Sequence, residues 1–309
     1  MPELLVVTGP TATGKTALGA ALARLLDGEV VGADSMQIYR GMDIGTAKPT
    51  AAEMGGVPHH MIDVADPSES FSAARWAAMA SACVDDILAR GRVPVVIGGT
   101  GLYIDALLRR ADFAAAPGDS GLRAQLEAEY DALGGEAFRR RLAEVDPTRA
   151  EKLAPGDKKR LVRALEVFRL TGETITAHDE RSRREPPRYT SMKVALDFTE
   201  RERLYERIDR RAAQMFADGL ADEVRGLLAA GLSERCTAMQ AIGYKETAAY
   251  LRGETSLDEA IERVQRESRR YAKRQLTWLR REEGVRWLRW ENAPDIRAAR
   301  QIATEFSAR

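Results

Sequence analysis

The sequence predicts an α/β fold, a parallel sheet flanked by helices, carrying an inserted all-helical subdomain. Three observations lead there. A glycine-rich segment, Gly-Pro-Thr-Ala-Thr-Gly-Lys-Thr at 9–16, sits between the apolar run Leu4–Val7 and a helix-like stretch, Ala17–Leu26. Short apolar runs then alternate with helical patterns to about residue 110, the signature of strands covered by helices. A charged, helical tract follows, and no further strand candidate appears before Met192–Phe198.

The order strand, glycine loop, helix makes the sheet P-loop NTPase-like. Such a loop wraps backbone N–H groups around a polyphosphate at the positive end of a helix. Gly9 and Gly14 allow an approach that a Cβ would block. Lys15 supplies a compact charge, and the Thr16 hydroxyl can reach a Mg²⁺ held by phosphates. A chance match to the fixed positions is about one per cent at this length, given average glycine usage. The loop therefore indicates a di- or triphosphate, without saying what becomes of it.

The second strand reads Glu29–Ala33 and the third Val93–Ile97, after a helix over Ser72–Arg90. Loops of small residues follow the strands: Gly9–Thr16, Asp34–Gln37 and Gly98–Gly101. In parallel sheets such loops line the ligand crevice, so the three are expected to be neighbours. Composition changes near Phe113. Breaks at Pro117-Gly118, Gly134-Gly135, Pro147, Pro155-Gly156 and Pro186-Pro187 punctuate helical patterns up to about Arg188. The expected organisation is a catalytic core of residues 1–113 plus 191–309 and a helical insertion of 114–190. Within the core, Met192–Phe198 returns to the sheet, Glu200–Arg281 is helical, and Val285–Trp290 is a final strand.

Bulk properties narrow the function classes. The 309 residues exceed the usual single core. With 47 basic and 47 acidic side chains, the chain has no global attraction to nucleic acid or membrane, so any such attraction is local. Cys83 and Cys236 show neither pairing nor metal-ligand spacing. No leader and no apolar run near 18 residues stands out, so a soluble cytoplasmic protein is expected. Nothing demands more than a monomer.

Several residues are chemical candidates. Asp34, in Asp-Ser-Met-Gln-Ile-Tyr at 34–39, faces the phosphate loop as a general base or a water-mediated Mg²⁺ ligand, or else caps the next turn. Thr100, in the second glycine turn, places a hydroxyl facing the first loop. Arg207 and Arg211 share a helix face and suit a diphosphate clamp or a solvated face paired with Glu202, Glu206 and Asp209. Lys158-Lys159-Arg160 with Arg163 form one basic cluster. A second runs through Arg263, Arg266, Arg269, Arg270, Lys273, Arg274, Arg280 and Arg281, with few acidic partners near by and with Tyr271 and Trp278 interleaved, which suits RNA. His59 and His60 read as turn or packing residues, and Trp278, Trp287 and Trp290 as packing residues.

Together these motifs resemble the tRNA dimethylallyltransferase (tRNA isopentenyltransferase) family. The likeness also rests on Gly-Thr-Ala-Lys-Pro at 45–49, Gly-Gly-Thr-Gly-Leu-Tyr at 98–103 and Arg-Ala-Leu-Glu-Val-Phe at 163–168. Gln-Ala-Ile-Gly-Tyr-Lys-Glu at 240–246 and Tyr-Ala-Lys-Arg-Gln-Leu-Thr-Trp-Leu-Arg at 271–280 complete it. Lys159 stands where the family usually has Gln. The zinc-finger extension of eukaryotic members is missing, as in the shorter bacterial form.

The resemblance implies transfer of a dimethylallyl group from dimethylallyl diphosphate to the exocyclic amine of the adenosine at tRNA position 37, with Mg²⁺. It implies that Asp34 is the base, aided by Thr100 and Arg211. The diphosphate would lie on Gly9, Pro10, Thr11, Ala12, Thr13, Gly14, Lys15 and Thr16, with Arg207 beside them and Thr16 toward the metal. It further implies that the anticodon stem-loop meets Asp34, Ser35, Met36, Gln37, Thr100, Arg123, Lys159, Arg160, Leu161, Val162, Arg163, Lys273 and Arg274. Two rivals share parts of this pattern: a small-molecule or nucleoside monophosphate kinase, and an RNA-binding regulator that uses nucleotide as a switch.

Overall fold

The apolar run at the N-terminus becomes an inner strand of a six-stranded sheet in the computed structural model, which describes residues 2–108 and 119–308. The strands are β1 (Leu4–Thr8), β2 (Gly28–Gly32), β3 (His59–His60), β4 (Val93–Gly98), β5 (Ser191–Phe198) and β6 (Val285–Trp290). Their spatial order is β3-β2-β4-β1-β5-β6, and every neighbouring pair is parallel. Val6 of β1 lies opposite Val96 of β4 on one side and Lys193 of β5 on the other. All five β1 residues are buried, which is why the strand reads as a continuous apolar run and not as an alternation.

The chain forms two compact units: Met1–Leu108 with Tyr189–Arg309, and Arg109–Arg188. The expected boundary at 113/114 and the Pro117-Gly118 break fall outside the described residues. In the first unit the helices are α1 (Lys15–Leu25), α2 (Ala51–Met54), α3 (Ala73–Ala89) and α4 (Gly101–Leu108). The second unit holds α5 (Ser120–Leu133), α6 (Gly135–Ala143), α7 (Pro147–Lys152), α8 (Lys158–Thr171) and α9 (Ile175–Arg184). The first unit resumes with α10 (Arg201–Ala217), α11 (Leu220–Ala229), α12 (Tyr244–Leu251), α13 (Leu257–Leu279) and α14 (Ala298–Ser307).

Helix starts follow local chemistry. The Ser72 side chain accepts the Arg75 N–H to open α3, and Ser256 with Glu259 forms a capping box before α13. Asp146 caps α7 ahead of Pro147 at its first position. The first unit's core joins Leu5, Val7, Val95 and Val194 of the sheet to Leu22 of α1, Leu276 of α13 and Ile302 of α14. The second unit has its own core of Leu126, Phe138, Leu142, Leu161 and Leu165.

The short edge strand β3 was invisible as a pattern, because two residues carry no periodicity. Its histidines pack. His59 Nδ1 lies 2.8 Å from the Val57 carbonyl oxygen, and His60 Nε2 lies 2.7 Å from Glu29 Oε2. Glu29 is buried near the start of β2 and binds Arg90 and Arg92 as well. The Arg90 hydrogen bonds, with help from His60 and Arg92, overcome desolvation and hold its carboxyl down at about 2.

The second unit corrects part of the RNA list. Leu161 is 0% and Val162 2% exposed, both on the core face of α8, so their side chains are not available to a ligand. Helical periodicity, which turns these positions inward directly after exposed Lys159 and Arg160, is the reason. Arg123 and Arg163 both bind Glu166 Oε2, at 2.8 and 2.9 Å. Among the described residues, no helix is long and apolar enough to cross a membrane.

Candidate active site

The loops after β1, β2 and β4 meet at the C-terminal edge of the sheet, and each is held by side chains distant in sequence. In the first loop, Gly14 is the N-cap of α1 with φ +84°, a left-handed conformation that suits glycine. Lys15 Nζ and Thr13 Oγ1 both donate to the Pro10 carbonyl, at 2.7 and 2.8 Å. Arg207 Nε donates to the Ala12 carbonyl at 3.0 Å, and Trp290 Nε1 to the Thr13 carbonyl at 3.0 Å. The Gln275 carboxamide bridges two loops: its oxygen accepts the Thr11 N–H at 2.9 Å and its nitrogen donates to the Gly99 carbonyl at 2.9 Å. A Cβ on Gly99 would stand 2.1 Å from that nitrogen, so a side chain there would push the Gln275 carboxamide out of its bridge.

Asp34 makes the capping contact that the sequence offered as one of its alternatives. Its Oδ1 accepts the Met36 N–H at 2.9 Å and shapes the turn after β2, while the residue also lines the crevice. The Thr100 hydroxyl accepts the Ser35 N–H at 3.1 Å, so it fixes the Asp34 turn, and it also hydrogen-bonds with Tyr271. Gln37 Nε2 donates to the carbonyls of Thr46 and Ala47, both at 3.1 Å. That further loop, residues 43–47, hangs on Glu223 of α11, whose carboxylate accepts the N–H groups of Asp43, Ile44 and Gly45 and the Tyr244 hydroxyl.

Two cavities adjoin here. One of about 680 Å³ is lined by Lys15, Thr16, Asp34, Gln37, Arg211 and Tyr271, among others. The second, about 260 Å³, has an apolar wall that includes Met36, Ile208, Ala212, Ile242 and Val264. Thr11, Asp34, Arg211, Met215 and Tyr271 line both. Sequence reasoning had Asp34, Lys15 and Arg211 in one crevice but missed Tyr271, Gln275 and Lys48. Tyr271 and Gln275 stand in the block 271–280; only helix packing shows what they face.

The crevice is electrostatically strained. Desolvation and the Arg211 charge push the Lys15 ammonium down to about 7, with Asp34 opposing. Arg211 is also lowered, by desolvation first and by Arg207, against the pull of Asp34 and Glu53. Among the described residues Arg211 makes no ion pair. Burial, then the Asp34 charge, raises the Tyr271 hydroxyl to about 12. Lys15 and Arg211 thus stand side by side with neither charge fully compensated by Asp34 or Glu53, an arrangement that favours an anionic ligand.

The basic face of α13 is only partly free, which corrects the impression of few acidic partners. Arg269 pairs with Asp209, and Arg266 and Arg270 with Glu267. Lys273 and Arg274 are exposed and form no ion pair among the described residues, and the Arg274 guanidinium lies 5.5 Å from the Tyr271 ring centre. Trp278 Nε1 donates to Asp105 at 3.0 Å, so Trp278 and Trp290 are more than filling.

The family model for IPP transferase matches residues 37–282. The chain belongs to the IPP transferase family. The matched span begins just after Asp34 and leaves out the phosphate loop and β6. This IPP transferase is 53% identical over 290 residues to a tRNA dimethylallyltransferase of Anaeromyxobacter dehalogenans, covering 93% of this chain and 92% of that protein. It is 47% identical over 301 residues to one of Pelotomaculum thermopropionicum, covering 97% and 95%. The crystal structure of a tRNA isopentenylpyrophosphate transferase from Bacillus halodurans superposes with TM-score 0.74 at 42% identity, covering 100% of this chain and 96% of that one. A eukaryotic dimethylallyltransferase acting on tRNA gives TM-score 0.81 at 26% identity, with 99% of this chain and 78% of that one covered. The chain is therefore an enzyme of the transferase class with the P-loop-like α/β fold.

Proposed function

We propose that this enzyme moves a dimethylallyl group from dimethylallyl diphosphate to the exocyclic amine of adenosine at tRNA position 37. The single observation that carries the reading is that Asp34 lines both cavities. One contains the cationic phosphate cradle; the other has an apolar wall and a tyrosine suited to a flat base. A donor carbon and an acceptor amine would meet beside a carboxylate.

The adenine amine is a weak nucleophile, because its lone pair is delocalised into the ring. As its nitrogen bonds to the allylic carbon, the carbon–oxygen bond to diphosphate breaks and Asp34 takes the amine proton. Positioned bases of this kind supply about 10²–10⁴-fold. Lys15 and Arg211 meet the charge that grows on the departing diphosphate, and such preset electrostatics are often the largest catalytic contribution. The Pro10 carbonyl takes one Lys15 proton, leaving two of three donors for phosphate oxygens.

Mg²⁺ fits this site only together with substrate. Among the described residues there is no group of three His, Cys, Asp or Glu able to hold a metal. The Thr16 hydroxyl is a hard oxygen donor at the start of α1, and phosphate oxygens and water would complete the shell. The ion would supply charge neutralisation to the leaving group.

The acceptor base must leave its stack, at a cost of a few kcal/mol that pocket contacts offset. Exposed Lys159 and Arg160 on one unit and Lys273 and Arg274 on the other are the phosphate contacts we assign. The test is incubation with dimethylallyl diphosphate and unmodified tRNA, followed by mass spectrometry of the adenosines, with an ATP arm run in parallel. A prenylated adenosine supports the reading; phosphoryl transfer from ATP without it supports a kinase. Asp34→Asn should lower turnover about 10²-fold or more with tRNA affinity nearly intact. Wild-type turnover in that variant rules out Asp34 as base.

A further inference from the structure

We propose that Trp290, at the end of β6, is a positioning residue for the phosphate cradle: its indole N–H pins the Thr13 carbonyl so that the loop is set to receive an anion. The proposal rests on reading that cradle as the diphosphate site. An anion cradle works only when amide N–H groups face inward, and an unpinned peptide can flip and present its carbonyl instead. In this loop the carbonyls of Pro10, Ala12 and Thr13 are all held by side-chain donors.

The four side-chain donors differ in kind, and the Thr13 hydroxyl, though neutral, belongs to the loop itself and can rotate to donate to an anion instead. Lys15 and Arg207 are cations, so an arriving diphosphate competes for them. Trp290 is neutral, 5% exposed, and bound through a donor that has no acceptor role. It is the tether that an anion does not draw away. Its placement is rigid. Trp290 pairs with Phe198 across the β5–β6 ladder, and its carbonyl accepts the Thr199 N–H at 3.0 Å. The segment that follows stays close to the same loop: a Cβ on Gly14 would stand 2.8 Å from Pro294 Cβ. Trp290 and Pro294 themselves lie beyond residue 282, where the family match ends.

Trp290→Phe removes the N–H together with the pyrrole half of the indole, and leaves an aromatic ring to fill part of the buried site. In the full chain with Mg²⁺, calorimetry with inorganic pyrophosphate should show about tenfold weaker binding in that variant, the size expected for one lost hydrogen bond. Under turnover the loss should fall on the KM for dimethylallyl diphosphate, not on kcat or on tRNA affinity. Unchanged pyrophosphate affinity, or equal weakening of pyrophosphate and tRNA, would overturn the proposal. Failure of the wild-type protein to bind pyrophosphate would instead refute the diphosphate reading itself. In wild-type protein, the Trp290 indole N–H resonance should stay hydrogen-bonded and slow to exchange as pyrophosphate is added. Rapid exchange on binding overturns the proposal even if the variant does not fold.

Discussion

On the proposed reading, Lys15 gives one side chain both a binding function and a pH dependence. Its pKa falls to about 7 because burial and Arg211 disfavour the charge, against an ordinary value of 10.5. A bound diphosphate reverses that penalty, so binding between pH 7 and 10.5 takes up a proton. Calorimetry of pyrophosphate binding at pH 8 in buffers of different ionisation enthalpy should reveal this uptake. Donor affinity should fall as pH rises past 7, and Lys15→Arg should flatten the profile. A buffer-independent enthalpy would contradict the assignment. The sign for stability runs the other way. The unfolded chain binds more protons in this window, so the free protein gains stability as pH rises from 7 toward 10.5. Below 7 the penalty of holding the charge is fully present.

At the scale of elements, the loop 43–47 illustrates positioning through backbone groups. Glu223 of α11 accepts three successive N–H groups, and the same loop offers its carbonyls to Gln37, three residues after Asp34. Glu223→Ala should leave those amides unpartnered, at a cost of about 1–3 kcal/mol in stability. Hydrogen exchange over residues 42–48 should accelerate before global unfolding does. If exchange there is unchanged, the carboxylate is not what orders the loop. Nothing in the local sequence flags Glu223, which reads as an ordinary exposed residue of an amphipathic helix. By contrast, the helix ends were legible, because Ser72 and the Ser256/Glu259 pair act within one turn of themselves.

On the scale of the whole molecule, a neutral net charge concentrates any RNA affinity in a few unpaired cations. Replacing Lys273 or Arg274 with Ala should each reduce the slope of log affinity against log salt by about one. Arg270→Ala should change it less, since Glu267 already neutralises that guanidinium. The reverse order would show that the ion pairs on α13 open on contact with RNA.

The sequence alone determined the parallel sheet, the phosphate loop and the neighbourhood of Asp34, since strand runs, glycine spacing and strand-end loops are local or obey general rules of sheet topology. It also listed Leu161 and Val162 with the exposed residues around them, a grouping by adjacency that helical periodicity breaks. Tertiary structure alone decided that Thr100 supports the Asp34 turn, that Gln275 ties two loops together, and that Trp290 reaches the Thr13 carbonyl. Those contacts span 65 to 277 residues of chain. They exist because packing brings α13 and the edge of the sheet to the N-terminal loop, and no pattern within either segment encodes the meeting.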